Sequence, residues 1–297
     1  MNGPFVLYTL ISLMLLLWSA NFIIGKIALR EFPPLLLGAL RIGIAGVFLA
    51  PIYWQNVRAA GKRWWPGGNV PLLAFVAVCN VANQLLFVFG LSRTSPAHSA
   101  WVIGASPIFV LLIAARIGLE RITTHKIVGM AVALGGVVYL ARQAAHPSAG
   151  APLTEATTAG DALTFAAGVL FALFAVYAKK AAESYNTVVV NGFAFMGGAA
   201  LLTPIIAWQA TTFSFAHISP VGWGSLMYMA IFPSAVCYLI YFHAIARISA
   251  SRVAAFVYLE PVVATLMAVA FLGERITLPL AASGTVILSG VYLTERG

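Results

Sequence analysis

Glu120-Arg121-Ile122-Thr123 and Glu274-Arg275-Ile276-Thr277 are the same four residues, 154 positions apart in a chain of 297. The match continues upstream at the same spacing, Pro107 with Pro261 and Arg93 with Arg247. At a spacing of 153, Trp18 falls against Phe171 and Lys26 against Lys179. Downstream, Gly129 and Gly135 align with Gly284 and Gly290 after a one-residue slip. The chain is therefore a duplicated unit, with a first repeat over 1–142, a linker over 143–159 and a second repeat over 160–297. In a membrane protein an internal repeat points to a transporter with its site between the halves.

Composition assigns the medium. Hydrophobic residues make up 61% of the chain, charged residues 8%, and the mean hydropathy is +0.95. A soluble domain carries roughly 25% charged residues. Apolar runs long enough to cross a hydrocarbon core about 30 Å thick recur along the whole length. They predict ten helices, near 5–28, 33–53, 70–92, 96–117, 124–142, 160–180, 187–208, 220–243, 249–271 and 277–294. The fold class expected is an all-α integral membrane protein, and the first helix reads as part of the repeat rather than a cleaved leader.

The net charge of +9 does not indicate nucleic acid, because the basic residues are scattered between helices with no base-stacking aromatics among them. Apart from Arg41, eleven Lys and Arg residues fall on the side of the N-terminus and five (Lys26, Arg30, Arg93, Arg142, Arg275) on the other. The positive-inside rule then places both termini in the cytoplasm of a bacterial inner membrane. Each repeat holds five helices, an odd number, so the second enters the membrane from the opposite side. Two inverted repeats are the arrangement from which alternating access follows.

The order Trp18-Ser19-Ala20-Asn21-Phe22, Lys26, Pro33-Pro34 and Arg41, then Leu259-Glu260-Pro261 and Leu272-Gly273-Glu274-Arg275, resembles an EamA domain present twice. The resemblance, over nearly all of the chain, is to the ten-helix drug/metabolite transporter superfamily. It implies a secondary carrier of small metabolites, often an exporter, working without ATP. Within that superfamily an amino-acid exporter similar to the YddG-type aromatic amino acid exporters fits best. Export of another amphipathic metabolite or of a drug-like cation stands as the alternative.

Candidate site residues are those that lipid would not tolerate. Asn80, Asn83, Gln84 and Phe87 recur at helical spacing on one face of the third helix. His98 and Trp101 share a face of the fourth, and Trp18 and Asn21 a face of the first. Tyr238 on the eighth helix and Tyr258 on the ninth complete the proposed substrate-binding set. Each also has a structural reading, amides as interhelical glue and tyrosines as packing. Glu260 is the one carboxylate placed well inside a span; it is a candidate for proton coupling or a hydrogen-bond partner beside the break at Pro261. Pro107 and Pro261, at matching repeat positions, are candidate gating hinges. Cys79 and Cys237 read as packing residues. No zinc motif, nucleophile elbow, P-loop or intramembrane aspartate pair is present, so no metal, cofactor or enzymatic role is expected. The expected partners are a small-molecule substrate and membrane lipids, with a passive channel or an intramembrane enzyme as readings of another class.

Overall fold

The computed structural model describes residues 4–59, 61, 68–94, 96–144, 157–260, 262–263 and 278–297. Pro261, the tetrapeptide Glu274–Thr277 and the 145–156 part of the linker lie outside the described residues, as do the side chains of His98 and Trp101. The regular elements are helical: α1 (Pro4–Ala28), α2 (Pro34–Ala59), α3 (Val70–Arg93), α4 (Pro96–Ile103), α5 (Ser106–Arg116), α6 (Thr124–Ala144), α7 (Thr158–Ala181), α8 (Thr187–Thr212), α9 (Pro220–Met229), α10 (Cys237–Ile245), α11 (Ala250–Ala255) and α12 (Leu278–Arg296). Among the described residues they group into ten spans, α4 with α5 and α9 with α10 each forming one. Residues Ala230–Val236 join α9 to α10 as a π-helical turn, and Phe256–Leu259 extend α11 as a 3-10 turn. Among the described residues, six helical stretches are long and apolar enough to cross a bilayer by themselves.

Local chemistry sets the helix starts. Asn69, Thr157, Asn186, Ser219 and Ser249 each accept a backbone N–H from the first turn of the helix that follows. Proline sets the interruptions. Pro107 has no N–H to offer the carbonyl one turn back, and the fourth span breaks between Ile103 and Ser106. The ninth span loosens at Phe256–Leu259, which the spacing of 154 matches to Val102–Ala105. The eighth span absorbs Pro233 differently, through its π-helical turn. Two predicted straight helices, the fourth and the ninth, are therefore segmented.

Packing displays the pseudo-twofold relation. The second span lies along its own repeat counterpart, α2 on α8, and the fifth along its own, α6 on α12. The third packs on the sixth (α3 on α7) as the first packs on the eighth (α1 on α9 and α10). Lys26 Nζ donates to Thr94 O at 2.8 Å, and its counterpart Lys179 Nζ donates to Ile248 O, the counterpart of Thr94, at 3.0 Å. The two bonds lie at opposite ends of the molecule. Lys26 belongs to the end where Thr94 Oγ1 donates to Asp161 and Ser219 donates to Glu31. Lys179 belongs to the end that holds Glu120, Lys126 and Ser251. Tyr8 Oη donates to Glu295 at 2.5 Å, so the first and last helices begin and finish side by side.

Small residues let these helices approach at backbone distance. A Cβ on Gly290 would sit 2.4 Å from Ala133 N, and one on Gly129 2.5 Å from Thr294 N. Gly129 meets Gly290 while Gly136 meets Ser283, a contact and its symmetry mate at a constant spacing of 154. The one-residue slip read from the sequence is thus corrected: Gly136, not Gly135, is the counterpart of Gly290. Across α2 and α8, a Cβ on Gly46 would lie 2.8 Å from Phe195 O.

Two tests follow from this packing. Gly290→Val should lower the thermal midpoint of the purified protein in detergent, by overpacking worth about 1–3 kcal/mol. Gly135→Val, where a Cβ meets nothing within 4 Å, should leave the midpoint unchanged. The second test concerns Glu120 in the loop after α5. Burial would push its carboxyl up, but bonds from Ser251 Oγ, Ser251 N and Lys126 hold it below the ordinary value of 4.5. A depressed carboxyl contributes stability above the unfolded value that is lost as pH falls through the folded one. The wild-type midpoint should therefore drop as the pH is taken below 4.5, and Glu120→Gln should flatten that limb of the profile.

Candidate functional site

The π-helical turn of the eighth span builds the centre of the molecule. Pro233 cannot donate to Met229 O, and Ser234 Oγ stands 2.8 Å from that carbonyl in its place. The same hydroxyl lies 3.0 Å from Gln84 Oε1 and receives Arg41 Nε at 2.6 Å. Gln84 Nε2 in turn donates to Asn80 Oδ1 at 3.2 Å. Pro233 O accepts from Trp18 Nε1 at 3.0 Å, and Asn83 Nδ2 donates to Tyr238 Oη at 3.1 Å. Three helices of the first half, α1, α2 and α3, are thus tied to the eighth span of the second around one proline. All of these side chains are buried.

Beside this network lies a cavity with about 530 Å³ of space free of atoms, open solvent at its mouth included. Its walls come in repeat pairs: Trp18 and Phe171, Gln84 and Tyr238, Ile103 and Val257, Ser106 and Glu260. A cavity lined by residues and their own counterparts straddles the pseudo-twofold axis. The rest of the wall, Asn21, Phe22, Arg41, Asn83 and Phe87, comes from the first half. The second span enters the lining through Arg41, beside the first, third, fourth, sixth, eighth and ninth. Towards the end where the termini lie, aromatic rings close the floor. Trp18 meets Phe171, Tyr238 and Tyr241 at centroid distances of 6.0, 5.7 and 5.8 Å, and Phe174 and Phe195 each meet Tyr238 at 5.4 Å. Tyr241 is 0% exposed.

The polar atoms facing this region are not all satisfied. Asn21 Oδ1, Arg41 NH1 and Ser106 Oγ are buried with no hydrogen-bond partner. Glu260 is buried, and its backbone carbonyl accepts from Ser19 Oγ at 3.3 Å. Its carboxylate pairs with no cation among the described residues; the Lys126–Glu120 ion pair lies at the terminus end. Arg41 lies over the Phe87 ring, 6.0 Å from its centroid. A buried charge with spare hydrogen-bonding capacity is costly unless a partner is supplied.

The residues singled out from the sequence divide accordingly. Trp18, Asn21, Asn83, Gln84, Tyr238 and Glu260 come together in the cavity wall. Asn80 stands behind it, bonded to Gln84. Tyr258 is elsewhere, fully buried in an apolar cluster with Met130, Val137 and Ile287 against α6 and α12. His98 and Trp101 lie on α4, and Pro107 opens α5, buried at the break. Ser234 escaped the sequence reading. Its signal was the pair Pro233-Ser234 inside an apolar span, where a hydroxyl follows a proline that frees a carbonyl. Cys79 and Cys237 are buried and free, as packing residues are.

With this geometry in place, comparison with known proteins assigns the family. The model of the EamA-like transporter family matches residues 6–142 and again 158–296. An uncharacterized transporter of Archaeoglobus fulgidus is 26% identical, over 97% of this chain and 96% of that protein. A probable terminal-alkyne amino-acid exporter of Streptantibioticus cattleyicolor is 28% identical, over 89% of this chain and 88% of its own. A crystal structure at 21% identity superposes with a TM-score of 0.74 over 98% of the chain and 96% of that chain, which shows a shared fold. These names describe transporters rather than enzymes. The chain, a multi-pass membrane protein with a small-molecule substrate, belongs to the EamA-like transporter family of the drug/metabolite transporter superfamily.

Proposed function

We propose that this transporter exports amino acids, aromatic ones among them, across the bacterial inner membrane by alternating access. The observation that carries the reading is the cavity on the axis between the halves, where rings of Trp18, Phe22, Phe87, Phe171 and Tyr238 stand beside the amides of Asn21, Asn83 and Gln84. An apolar wall with a few placed polar groups suits a solute with a ring-shaped body and a polar end. The name of the Streptantibioticus relative points in the same direction. Trp101 and His98, on the helix that ends at the cavity residue Ile103, belong to the proposed site, and Asn80 supports it through Gln84.

The breaks at Pro107 and beside Pro261 are the hinges of this mechanism. Each sits next to a cavity residue of a repeat pair, Ser106 and Glu260, so bending there reshapes the site from both halves. Glu260 is the carboxylate in the wall through which a proton would be exchanged. Both termini and the Glu120 loop face the cytoplasm in this reading, on the side of the eleven basic residues.

Purified protein in proteoliposomes should show saturable counterflow of labelled phenylalanine or tryptophan, and Trp18→Ala should cut it about tenfold, the equivalent of about 1.4 kcal/mol. Flux without counterflow would instead indicate a channel. Orientation has its own check. A fluorescent protein fused after Gly297 should glow in the bacterial cytoplasm, whereas an active alkaline phosphatase fusion there would invert the assignment.

A further inference from the structure

Two opposite charges share the wall of one cavity without meeting each other. Arg41, on α2, is the cationic residue of the lining and Glu260, at the end of the 3-10 turn after α11, the acidic one. They form no ion pair together, and neither pairs with another charged side chain among the described residues. Arg41 is pinned through Nε to Ser234, which fixes the plane of the guanidinium, while NH1 has no protein acceptor. Asn21 Oδ1 and Ser106 Oγ also lack partners. Ser106 and Glu260 are repeat counterparts, so the acid stands where the symmetry of the walls would put a second serine.

Resting on the amino-acid reading above, we propose that the cavity recognises the α-amino acid as a zwitterion, with its carboxylate on Arg41 and its ammonium group on Glu260. A guanidinium offers N–H groups in a planar fork that matches a carboxylate. An ammonium group needs several acceptors, and the Glu260 carboxylate with the free oxygens of Asn21 and Ser106 supplies them. The charge balance sets the class. A solute that is only a cation leaves Arg41 facing a like charge without a counterion, and a solute that is only an anion does the same to Glu260. A solute with one charge of each sign settles both in a low-dielectric site, where the cost of leaving either unpaired is greatest. The aromatic rings of Trp18 and Phe171 are left to the side chain. Ser234 acts as a positioning residue: it holds Arg41 and touches no substrate.

The test uses the full chain in proteoliposomes, with labelled phenylalanine in counterflow and three competitors: phenylalanine, phenethylamine, which lacks the carboxylate, and 3-phenylpropionate, which lacks the ammonium group. Against wild type, both analogues should compete at least about tenfold more weakly than phenylalanine, the loss expected for a charge-assisted bond. Arg41→Gln should erase the preference for phenylalanine over phenethylamine, and Glu260→Gln the preference over 3-phenylpropionate. Arg41→Lys and Ser234→Ala, which keep the positive charge, should raise the KM for phenylalanine while leaving competition by phenethylamine as in wild type; they carry the test if Arg41→Gln does not fold. Wild-type counterflow of phenylalanine with either analogue competing equally well would overturn the zwitterion assignment and leave the amino-acid reading standing. So would an Arg41 variant, folded by thermal melting, that kept the full preference. Wild type that exchanges no amino acid would overturn both.

Discussion

A hydrocarbon environment has no water to receive a carbonyl that proline has left without a donor. The eighth span meets that constraint at Pro233, and much of the centre of the molecule is arranged around the answer. Ser234 covers Met229 O, the π-helical turn takes up the changed register, and Pro233 O turns to the Trp18 indole. Because Ser234 also receives Arg41 and stands beside Gln84, the repair of one helix fixes the orientation of a guanidinium and an amide on two others. Backbone satisfaction and site construction are one set of bonds here.

Duplication supplies the rest of the architecture, and departures from it supply the chemistry. Repeat counterparts face each other across the cavity, Trp18 with Phe171 and Ser106 with Glu260. Where the halves differ, the first gives amides and the second gives rings: Gln84 corresponds to Tyr238 and Asn21 to Phe174. The consequence is a polar wall on one part of the cavity and an aromatic floor toward the termini. A perfectly symmetric pair of halves would have neither, since each feature would be repeated inverted on the other side.

The fold was legible in the sequence because lipid enforces long apolar runs and because the repeated Glu-Arg-Ile-Thr set the register of the two halves. Three things were not legible. The spacing of Gly129, Gly135, Gly284 and Gly290 suggested a slip, since any glycine can align with any other when only letters are compared; backbone contact between α6 and α12 selects Gly136 as the true counterpart. The partner of Arg41 could not be found in the sequence, because Ser234 lies 193 positions away and a serine beside a proline does not resemble an ion-pair partner. Tyr258 shared the composition of a site residue, but the 3-10 turn aims it at the α6 and α12 side rather than at the cavity. Helical spacing gives faces only while the helix is regular.

The glycine contacts between α6 and α12 and between α2 and α8 have a mechanical consequence. Where backbone meets backbone at such distances, one helix cannot slide along the other without its next side chain colliding with the partner's main chain. The two self-paired interfaces therefore forbid translation of one half along the other, and both are crossed by the axis relating the halves. Under the proposed alternating access, the motion compatible with this packing would be tilt about that line together with bending at the segmented fourth and ninth spans. Such a cycle would resemble a toggle rather than a piston.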